Sequence, residues 1–169
     1  TEFDWKEENG IVYNKDGVVV RHWPRSHVKD GASAYRLDWE DAGLSFVWTG
    51  DGRPDELSAK YGKGADVFVS EGTIDTPTLS SYKLGAPPEL WEYTIDIFHT
   101  MYYAAGYLFK QAQPRIGCIC HYEWSGAGLD ADSGAIKFLG RRNAKILADH
   151  EALTVVVIHG DEIELEVVI

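Results

Sequence analysis

The stretch at residues 46–57, FVWTGDGRPDEL, decides how the rest of the sequence is interpreted. Its apolar run stops at Asp51, which stands between two glycines. A short apolar run bounded by glycine is typical of a buried strand, and Pro54 favours the first turn of a helix directly afterwards. The stretch therefore predicts a strand, a tight turn that carries a carboxylate, and a short helix over residues 55–61.

Similar apolar runs predict strands on both sides of this stretch, and two pairs of them form hairpins. Residues 11–13 and 18–23 flank the turn sequence NKDG, and residues 34–39 and 44–48 flank EDAG. The remaining predicted elements are strands at 66–70 and 115–120, helices at 100–112 and 134–150, a loop over 72–88 and a C-terminal hairpin turning at 159–161. This order predicts one α/β domain over residues 1–169, with a mixed β-sheet and helices on one face.

Composition and charge exclude several classes of function. The 169 residues are 44% hydrophobic, enough for a sizeable core, and no apolar stretch is long enough to cross a bilayer. The formal charge of −11, from 27 acidic and 16 basic residues, argues against a nucleic-acid partner, because phosphate binding needs clustered Lys and Arg. Cys118 and Cys120 lie in one apolar run, and we interpret them as core thiols of a cytoplasmic protein.

Four metal-capable side chains share one predicted position, at the end of an apolar strand or the start of a buried helix. They are His27, Asp51, His99 and His121. Ligands commonly gather on loops at the carboxyl ends of strands, because the strand fixes the backbone while the loop lets side chains converge. Histidine together with aspartate suits zinc or another divalent ion. Each position also has a structural explanation: a hydrogen-bonded histidine or, for Asp51, a cap on the helix that follows.

The order and wording of these segments resemble the C-terminal half of a metallo-β-lactamase-fold hydrolase, nearest to the ribonuclease Z-like branch. The segments that carry the resemblance are GIVYNKDGVVVRHWPRSH, FVWTGDGRP, GADVFVSEG and HTMYYAAGYLFKQAQPRIGCICH. The sequence of these segments resembles even more closely that of bacterial metallo-hydrolases of the guanitoxin-biosynthesis type, in which HWPRSH and WTGDGRPDEL recur. The resemblance covers about residues 10–125 and implies one half of an αββα sandwich.

The resemblance implies a role for each matching residue. His27 would bind one metal ion, His121 a second, and Asp51 would bridge the two. Asp51 and His99 are the implied catalytic residues, with His99 binding substrate or protonating the leaving group. Glu71 would lie behind the ligands and orient a histidine, a role that fixes the histidine tautomer. The implied cofactor is zinc or another divalent metal, with iron or manganese as alternatives, and the metal pair would activate water for hydrolysis.

Further residues near these motifs are candidates for binding substrate. Arg25 and Arg53 could hold an anionic group of the substrate, although surface salt bridges are an equally good explanation. Tyr102 and Trp124 neighbour the implied site and could contact the substrate, with burial as the alternative. His22 falls inside a predicted strand, and we expect it to be packed rather than to bind a metal.

The sequence departs from the family in one important respect. It has no HxHxDH segment, which supplies further metal ligands from the N-terminal half of these enzymes. Three candidate ligands shared between two ions leave each ion with two protein ligands, fewer than a tight zinc site needs. The resemblance therefore implies that the isolated chain is inactive and holds metal weakly or not at all.

A half-sandwich would also expose the apolar inner face of its sheet, which is unfavourable in water. We therefore expect a partner, either a second copy of the chain or a separate N-terminal half. Two functions follow: a metal-dependent hydrolase that acts on a small molecule once complemented, or a non-catalytic half-fold that oligomerises and binds a small ligand or a protein. A third possibility is an α/β domain whose histidines are structural.

Overall fold

The computed structural model describes residues 2–73, 76–80 and 87–121 and, further along, three strands between residues 146 and 168. Seven of the described strands form one mixed sheet in the order β1 to β7, and β8 and β9 pair as an antiparallel hairpin. The strands are β1 (Gly10–Lys15), β2 (Val18–Pro24), β3 (Ser33–Trp39), β4 (Leu44–Trp48), β5 (Val67–Glu71), β6 (Ile116–Cys120), β7 (Ile146–Ala148), β8 (Leu153–His159) and β9 (Glu162–Val168).

The sheet changes from antiparallel to parallel at β4. Strands β1 to β4 form an antiparallel meander, whereas β4, β5, β6 and β7 run parallel to one another. Both hairpins predicted in the N-terminal part are present, and the first turns at Asp16 and Gly17, whose φ angles are 54° and 73°. Because β2 and β4 are each antiparallel to β3, the carboxyl ends of β2, β4, β5 and β6 all lie at one edge of the sheet.

The helices lie between the parallel strands in the sequence. They are α1 (Glu56–Tyr61), α2 (Thr76–Leu79), α3 (Glu89–Trp91), which continues as a π-helical turn (Glu92–Asp96), and α4 (Tyr102–Ala112). Helix α1 begins at Asp55, whose carboxylate accepts a hydrogen bond of 2.6 Å from the backbone N–H of Ser58. Helix α4 ends at Gln113, which has a left-handed φ of 54°. The two helices predicted in this region are confirmed to within one turn, and none of the described helices is long and apolar enough to cross a membrane.

The core lies between the helices and one face of the sheet. Trp23, Val47 and Phe68 from the sheet are buried there together with Leu108 and Phe109 of α4. The rings of Phe68 and Phe109 meet edge to face with their centroids 5.5 Å apart, a favoured aromatic geometry. This packing fixes α4, and with it the residues just before the helix, against the parallel strands.

The opposite face of the sheet is apolar and exposed. Its large side chains are between 41% and 52% exposed: Tyr13, Trp39, Leu44, Phe46 and Trp48. They share this face because Trp39 pairs with Leu44 across the two strands, and alternate residues of a strand point to the same side. We call these five residues the open sheet face. The half-sandwich interpretation predicts an exposed apolar face of this kind, and the half-sandwich itself stays a prediction.

Two sequence predictions need correction. The helix predicted over residues 134–150 is wrong at Ile146–Ala148, which form β7, and the rest of that prediction lies outside the described residues. The backbone of this triplet pairs in parallel with residues 117–119, so pairing within the sheet overrides the local pattern. The loop predicted over residues 72–88 includes the single helical turn α2. The predicted C-terminal hairpin is confirmed as β8 and β9.

The two cysteines are partly buried in β6. Cys118 and Cys120 are both free thiols. Burial raises the pKa of each thiol to about 11, because an apolar environment disfavours the charged thiolate. Cys118 pairs with Val69, which pairs with Trp48, so both cysteines lie on the sheet face opposite the helices and do not belong to the core, contrary to the prediction. The raised pKa leaves them little nucleophilic character at neutral pH, and the cytoplasmic location stays a prediction.

Candidate metal site

Four strands bring polar residues together at one edge of the sheet. His27 follows the last residue of β2 by three positions, Asp51 follows β4 by three, Glu71 ends β5 and His121 follows β6 directly. The Nε2 atoms of His27 and His121 lie 4.0 Å and 3.9 Å from the same carboxylate oxygen, Oδ2 of Asp51. The structure thus brings the three predicted metal ligands into one small volume.

His99 joins this group from the segment just before α4. Its ring centroid lies 5.4 Å from that of His27 and 5.6 Å from that of His121, with which it is stacked at 9°. One ligand-capable atom from each of Asp51, Glu71, His99 and His121 lies within 4.8 Å of the others. Nε2 of His27 is buried and has no hydrogen-bond partner among the described residues, which favours a ligand role. Imidazoles around a carboxylate are a donor set that suits zinc or another divalent ion.

Glu71 is buried behind the candidate ligands and connects the turn that carries Asp51 to the segment that carries His99. Its side chain is fully buried, and Oε1 accepts hydrogen bonds of 2.6 Å from the Gly52 N–H and 2.9 Å from the Thr100 N–H. Its other oxygen, Oε2, lies 2.8 Å from Nδ1 of His99. Because a carboxylate can only accept, Nδ1 of His99 is the protonated nitrogen and Nε2 carries the lone pair. This is the geometry that the orienting role implied for Glu71 requires. Sequence reasoning missed Thr100, whose one signal is its position beside His99.

The turn between β4 and α1 presents Asp51 to the site. Gly50 and Gly52 have φ angles of 60° and 152°, conformations that favour glycine. Gly52 is buried, whereas the carboxylate of Asp51 is 40% exposed at the sheet edge. Asp55 is the cap of helix α1, so the alternative that Asp51 caps this helix is wrong. Two aspartates in one turn therefore have separate tasks, one in the helix and one at the site.

His121 is held in an unusual backbone conformation. Its φ of 51° is in the left-handed region, which costs a residue with a side chain about 1–2 kcal/mol. Strain of this kind concentrates at functional sites, where the surrounding structure maintains it. Here it turns the chain sharply after β6, and the imidazole, which is half exposed, lies beside Asp51.

The predicted substrate-binding residues have different environments. The side chain of Arg25 is fully buried and bonds to the Asp55 carboxylate, so it presents no surface to a ligand in this structure. Arg53 is exposed beside the site, and its backbone N–H bonds to the loop after β2. Tyr102 is partly buried at the start of α4, with its ring against that of the next tyrosine. Trp124 lies outside the described residues.

His22 is packed in the sheet, as the sequence predicts. Its side chain is fully buried, and the ring of Phe3 lies 4.4 Å away between centroids. Burial lowers the pKa of His22, although the nearby carboxylates of Glu7 and Asp4 act in the opposite direction. The residue is separate from the candidate metal site.

Comparison with known proteins identifies the fold. No family model and no curated protein matches the sequence. Among solved structures, the chain is similar to the metallo-β-lactamase fold protein YhfI from Bacillus subtilis, with 16% identity and a TM-score of 0.60 over 83% of this chain and 51% of that one. It is also similar to human short-form tRNase Z (ELAC1), with 14% identity and a TM-score of 0.54 over 86% and 46% of the two chains. A protein from Parabacteroides distasonis assigned to the metal-dependent hydrolases has 11% identity and a TM-score of 0.54 over 83% and 55%.

These similarities show the metallo-β-lactamase fold, and the predicted fold class is confirmed. The chain spans about half the length of the three solved proteins, between 46% and 55%. Identities between 11% and 16% establish a common fold and not a common reaction. The similarity to tRNase Z supports the family resemblance at the level of the fold, and the guanitoxin-type branch stays a prediction.

Proposed function

We propose that this chain is the metal-binding half of a metallo-β-lactamase superfamily hydrolase, which acts on a small molecule once a second half completes its site. The observation that carries the proposal is the convergence of His27, Asp51, His99 and His121 at one sheet edge. The buried Nε2 of His27 has no hydrogen-bond partner among the described residues and faces a carboxylate oxygen at 4.0 Å.

The residues at this edge fit a divalent metal. Asp51 supplies the negative charge, and His27 and His121 supply nitrogen donors on either side of it. This mixture suits zinc, with iron and manganese as alternatives. When bound, a divalent ion polarises the scissile bond of a substrate and lowers the pKa of water.

His99 is the residue best placed for proton transfer. Glu71 fixes its ring through Nδ1, at 2.8 Å, and leaves the lone pair on Nε2. A histidine held in this tautomer hydrogen-bonds the substrate or passes a proton to the leaving group. The side chain of His99 is 17% exposed, so a small substrate at the sheet edge has access to it.

The site requires a second half because it is open on one side. The side chains of Asp51 and His121 are 40% and 50% exposed, and three predicted ligands shared by two ions are fewer than tight metal binding needs. The similar solved structures contain about twice as much chain as this one. We propose that a separate half with an HxHxDH segment covers the open sheet face and adds ligands. Each half-exposed aromatic or aliphatic side chain on that face would contribute about 1 kcal/mol when fully buried.

The net charge favours a small molecule over a nucleic acid as substrate. The chain carries −11, and a polyanion would be repelled unless a cluster of basic side chains lined the site. Arg25 is fully buried, which leaves Arg53 as the predicted basic residue that a ligand can reach. One accessible arginine suits a single anionic group.

A second candidate function is a non-catalytic module that oligomerises through the open sheet face. The specific observation in its favour is that all five side chains of this face are more than 40% exposed. Two copies packed sheet against sheet would bury this surface without any metal. Such a module would bind a small ligand or a protein.

Metal titration tests the first proposal. Calorimetry with zinc, and with manganese or iron under anaerobic conditions, is expected to show binding to the wild-type chain that Asp51→Asn weakens by more than about tenfold. Asp41→Asn is the matched control, because Asp41 is exposed in the turn at the other end of β4 and should leave the affinity unchanged. Equal affinities for all three proteins would refute the metal site, and no binding by the wild type would favour the non-catalytic module. Ester or phosphodiester hydrolysis by the isolated chain would instead show that no second half is needed.

Light scattering tests the partner. The wild-type chain is expected to self-associate or to bind an added HxHxDH half, and Phe46→Glu should abolish both interactions. Tyr107→Glu is the control, because Tyr107 is 54% exposed on α4 and lies outside the open sheet face. A wild-type chain that is a well-folded monomer and ignores the added half would contradict the proposal. Self-association without metal binding would favour the non-catalytic module.

A further inference from the structure

The backbone of Gly52, the residue after Asp51, is held by buried groups from three parts of the chain. The Gly52 N–H donates to Oε1 of Glu71 at 2.6 Å. The Gly52 carbonyl accepts one hydrogen bond from Nη2 of Arg25 at 2.8 Å and another from Oγ1 of Thr100 at 2.6 Å. Both polar groups of this residue are therefore bound, and the position of the turn that carries Asp51 depends on them.

Arg25 extends this arrangement from one loop to another. Its side chain has no exposed surface, and Nη1 bonds to the Asp55 carboxylate and, at 3.0 Å, to Oγ of Ser58. In sequence, Arg25 precedes His27 by two residues, and Gly52 follows Asp51 by one. The guanidinium group of Arg25 thus joins the loop that carries His27 to the turn that carries Asp51. It also joins both of them to the start of α1.

The fit around Gly52 shows why arginine and glycine occur together. A Cβ atom at this position would lie 2.8 Å from Nε of Arg25 and 3.1 Å from the carbonyl oxygen of Ser26. Only glycine lets the guanidinium approach the carbonyl from this side. A planar group with donors on two nitrogens reaches this carbonyl and the Asp55 carboxylate at once, which a lysine ammonium cannot do with the same geometry.

We propose that Arg25 is a positioning residue: it sets the distance between His27 and Asp51 by holding the Gly52 carbonyl, and thereby sets metal affinity. This inference deepens the proposed metal site and rests on it for the affinity readout. It replaces the prediction that Arg25 contacts an anionic substrate, since the guanidinium is enclosed by protein groups.

Arg36 provides a matched control for the experiment. Its Nη1 donates to the carbonyls of Tyr61 and Lys63 at 2.9 Å and 3.0 Å, and its Nε bonds to Asp38 at 2.8 Å. It therefore joins the sheet to the other end of α1 with a comparable set of hydrogen bonds. Replacing it removes similar contacts without touching the loops of the site.

The experiment compares wild type, Arg25→Ala, Arg25→Lys, Thr100→Val and Arg36→Ala by zinc competition with a chromophoric chelator. Changes to residues behind metal ligands typically lower affinity by about 10–100-fold. We expect a loss in this range for Arg25→Ala, a smaller loss for Arg25→Lys and Thr100→Val, and wild-type affinity for Arg36→Ala. Added guanidinium at a non-denaturing concentration should restore affinity to Arg25→Ala, because it fits the space left by the side chain.

Hydrogen exchange of the Gly52 amide in metal-free protein gives a second readout that does not need the metal site. Exchange should be faster in Arg25→Ala, because this variant loses the hydrogen bond that holds the Gly52 carbonyl. It should be unchanged in Arg36→Ala, because Arg36 bonds to the carbonyls of Tyr61 and Lys63 instead. Equal zinc affinity, or equal Gly52 exchange, in the two alanine variants would overturn the inference. If the wild type binds no zinc, the proposed function fails, and the exchange comparison still decides whether Arg25 positions the turn. If Arg25→Ala does not fold, Arg25→Lys and Thr100→Val decide in its place.

Discussion

Replacing Glu71 with glutamine should move the proton of His99 from one ring nitrogen to the other. In the wild type, Oε2 of Glu71 accepts from Nδ1 of His99 at 2.8 Å. In Glu71→Gln, the amide oxygen can still accept from the backbone N–H groups of Gly52 and Thr100, at 2.6 Å and 2.9 Å in the wild type. The amide NH2 group then faces Nδ1, which must become an acceptor. The proton moves to Nε2, and the lone pair that the proposed chemistry needs is lost.

The size of the effect on stability follows from the three hydrogen bonds. A hydrogen bond to a charged group contributes about 1.5–3 kcal/mol, and a neutral one about 0.5–1.5 kcal/mol. Glutamine keeps three hydrogen bonds but makes each of them neutral, so we expect a loss of about 3 kcal/mol. For a chain of 169 residues, each kcal/mol corresponds to about 2–4 °C in Tm, so Tm should fall by about 6–12 °C.

Two measurements check this prediction. Nitrogen-15 NMR of the imidazole groups reports which nitrogen of His99 carries the proton, and thermal unfolding reports Tm. Glu56→Gln is the control, because Glu56 is exposed at the start of α1 and should change neither quantity by much. If His99 keeps its proton on Nδ1 and Tm is unchanged in Glu71→Gln, the reasoning about the carboxylate is refuted.

Three further predictions concern stability and reactivity. Gly52→Ala should lower the free energy of unfolding by about 3 kcal/mol, whereas Gly43→Ala, at a φ of 63° with open space around it, should lower it by about 1 kcal/mol in urea unfolding. Burial raises the pKa values of Cys118 and Cys120 from 9.0 to about 11, so both thiols should be alkylated slowly at neutral pH. For the same reason the contribution of these thiols to the stability of the folded chain should be full below pH 9 and should fall as the pH rises towards 11. Because burial lowers the pKa of His22 from 6.5, the wild type should lose stability as the pH falls below 6.5, and His22→Leu should reduce this loss in acid titrations of unfolding. A flat pH profile, rapid alkylation or equal effects of the two alanine substitutions would contradict the corresponding prediction.

Much of the sheet could be predicted because its strands are short apolar runs ended by glycine, proline or charge. The residues at strand ends could be predicted for the same reason, since parallel strands that end together bring their following residues together. Asp51, His27 and His121 follow different strands and meet within 4.0 Å of one carboxylate oxygen. The local pattern and the direction of each strand are enough to predict both.

The sequence could not reveal the contacts behind the ligands. Arg25 and Gly52 are 27 residues apart, and Thr100 and Gly52 are 48 apart, so no local pattern connects them. The assignment of the helix cap was ambiguous for a different reason: Asp51 and Asp55 share one turn, and both are residues that cap helices well. The strand at Ile146–Ala148 depends on pairing with β6, which outweighs intrinsic preference over three residues.

The distribution of the candidate ligands along the chain has a consequence for folding. They are supplied between residues 27 and 121, from the ends of three strands and the segment before α4, so the site does not exist in any partly formed hairpin or helix. Metal binding at the proposed site would therefore be thermodynamically linked to the formation of strands β2 to β6. An ion present at a hundred times its dissociation constant would add about 2.7 kcal/mol to the stability of every element that must form first. Metal supply would then govern how much of the polypeptide is folded, in addition to whether it reacts.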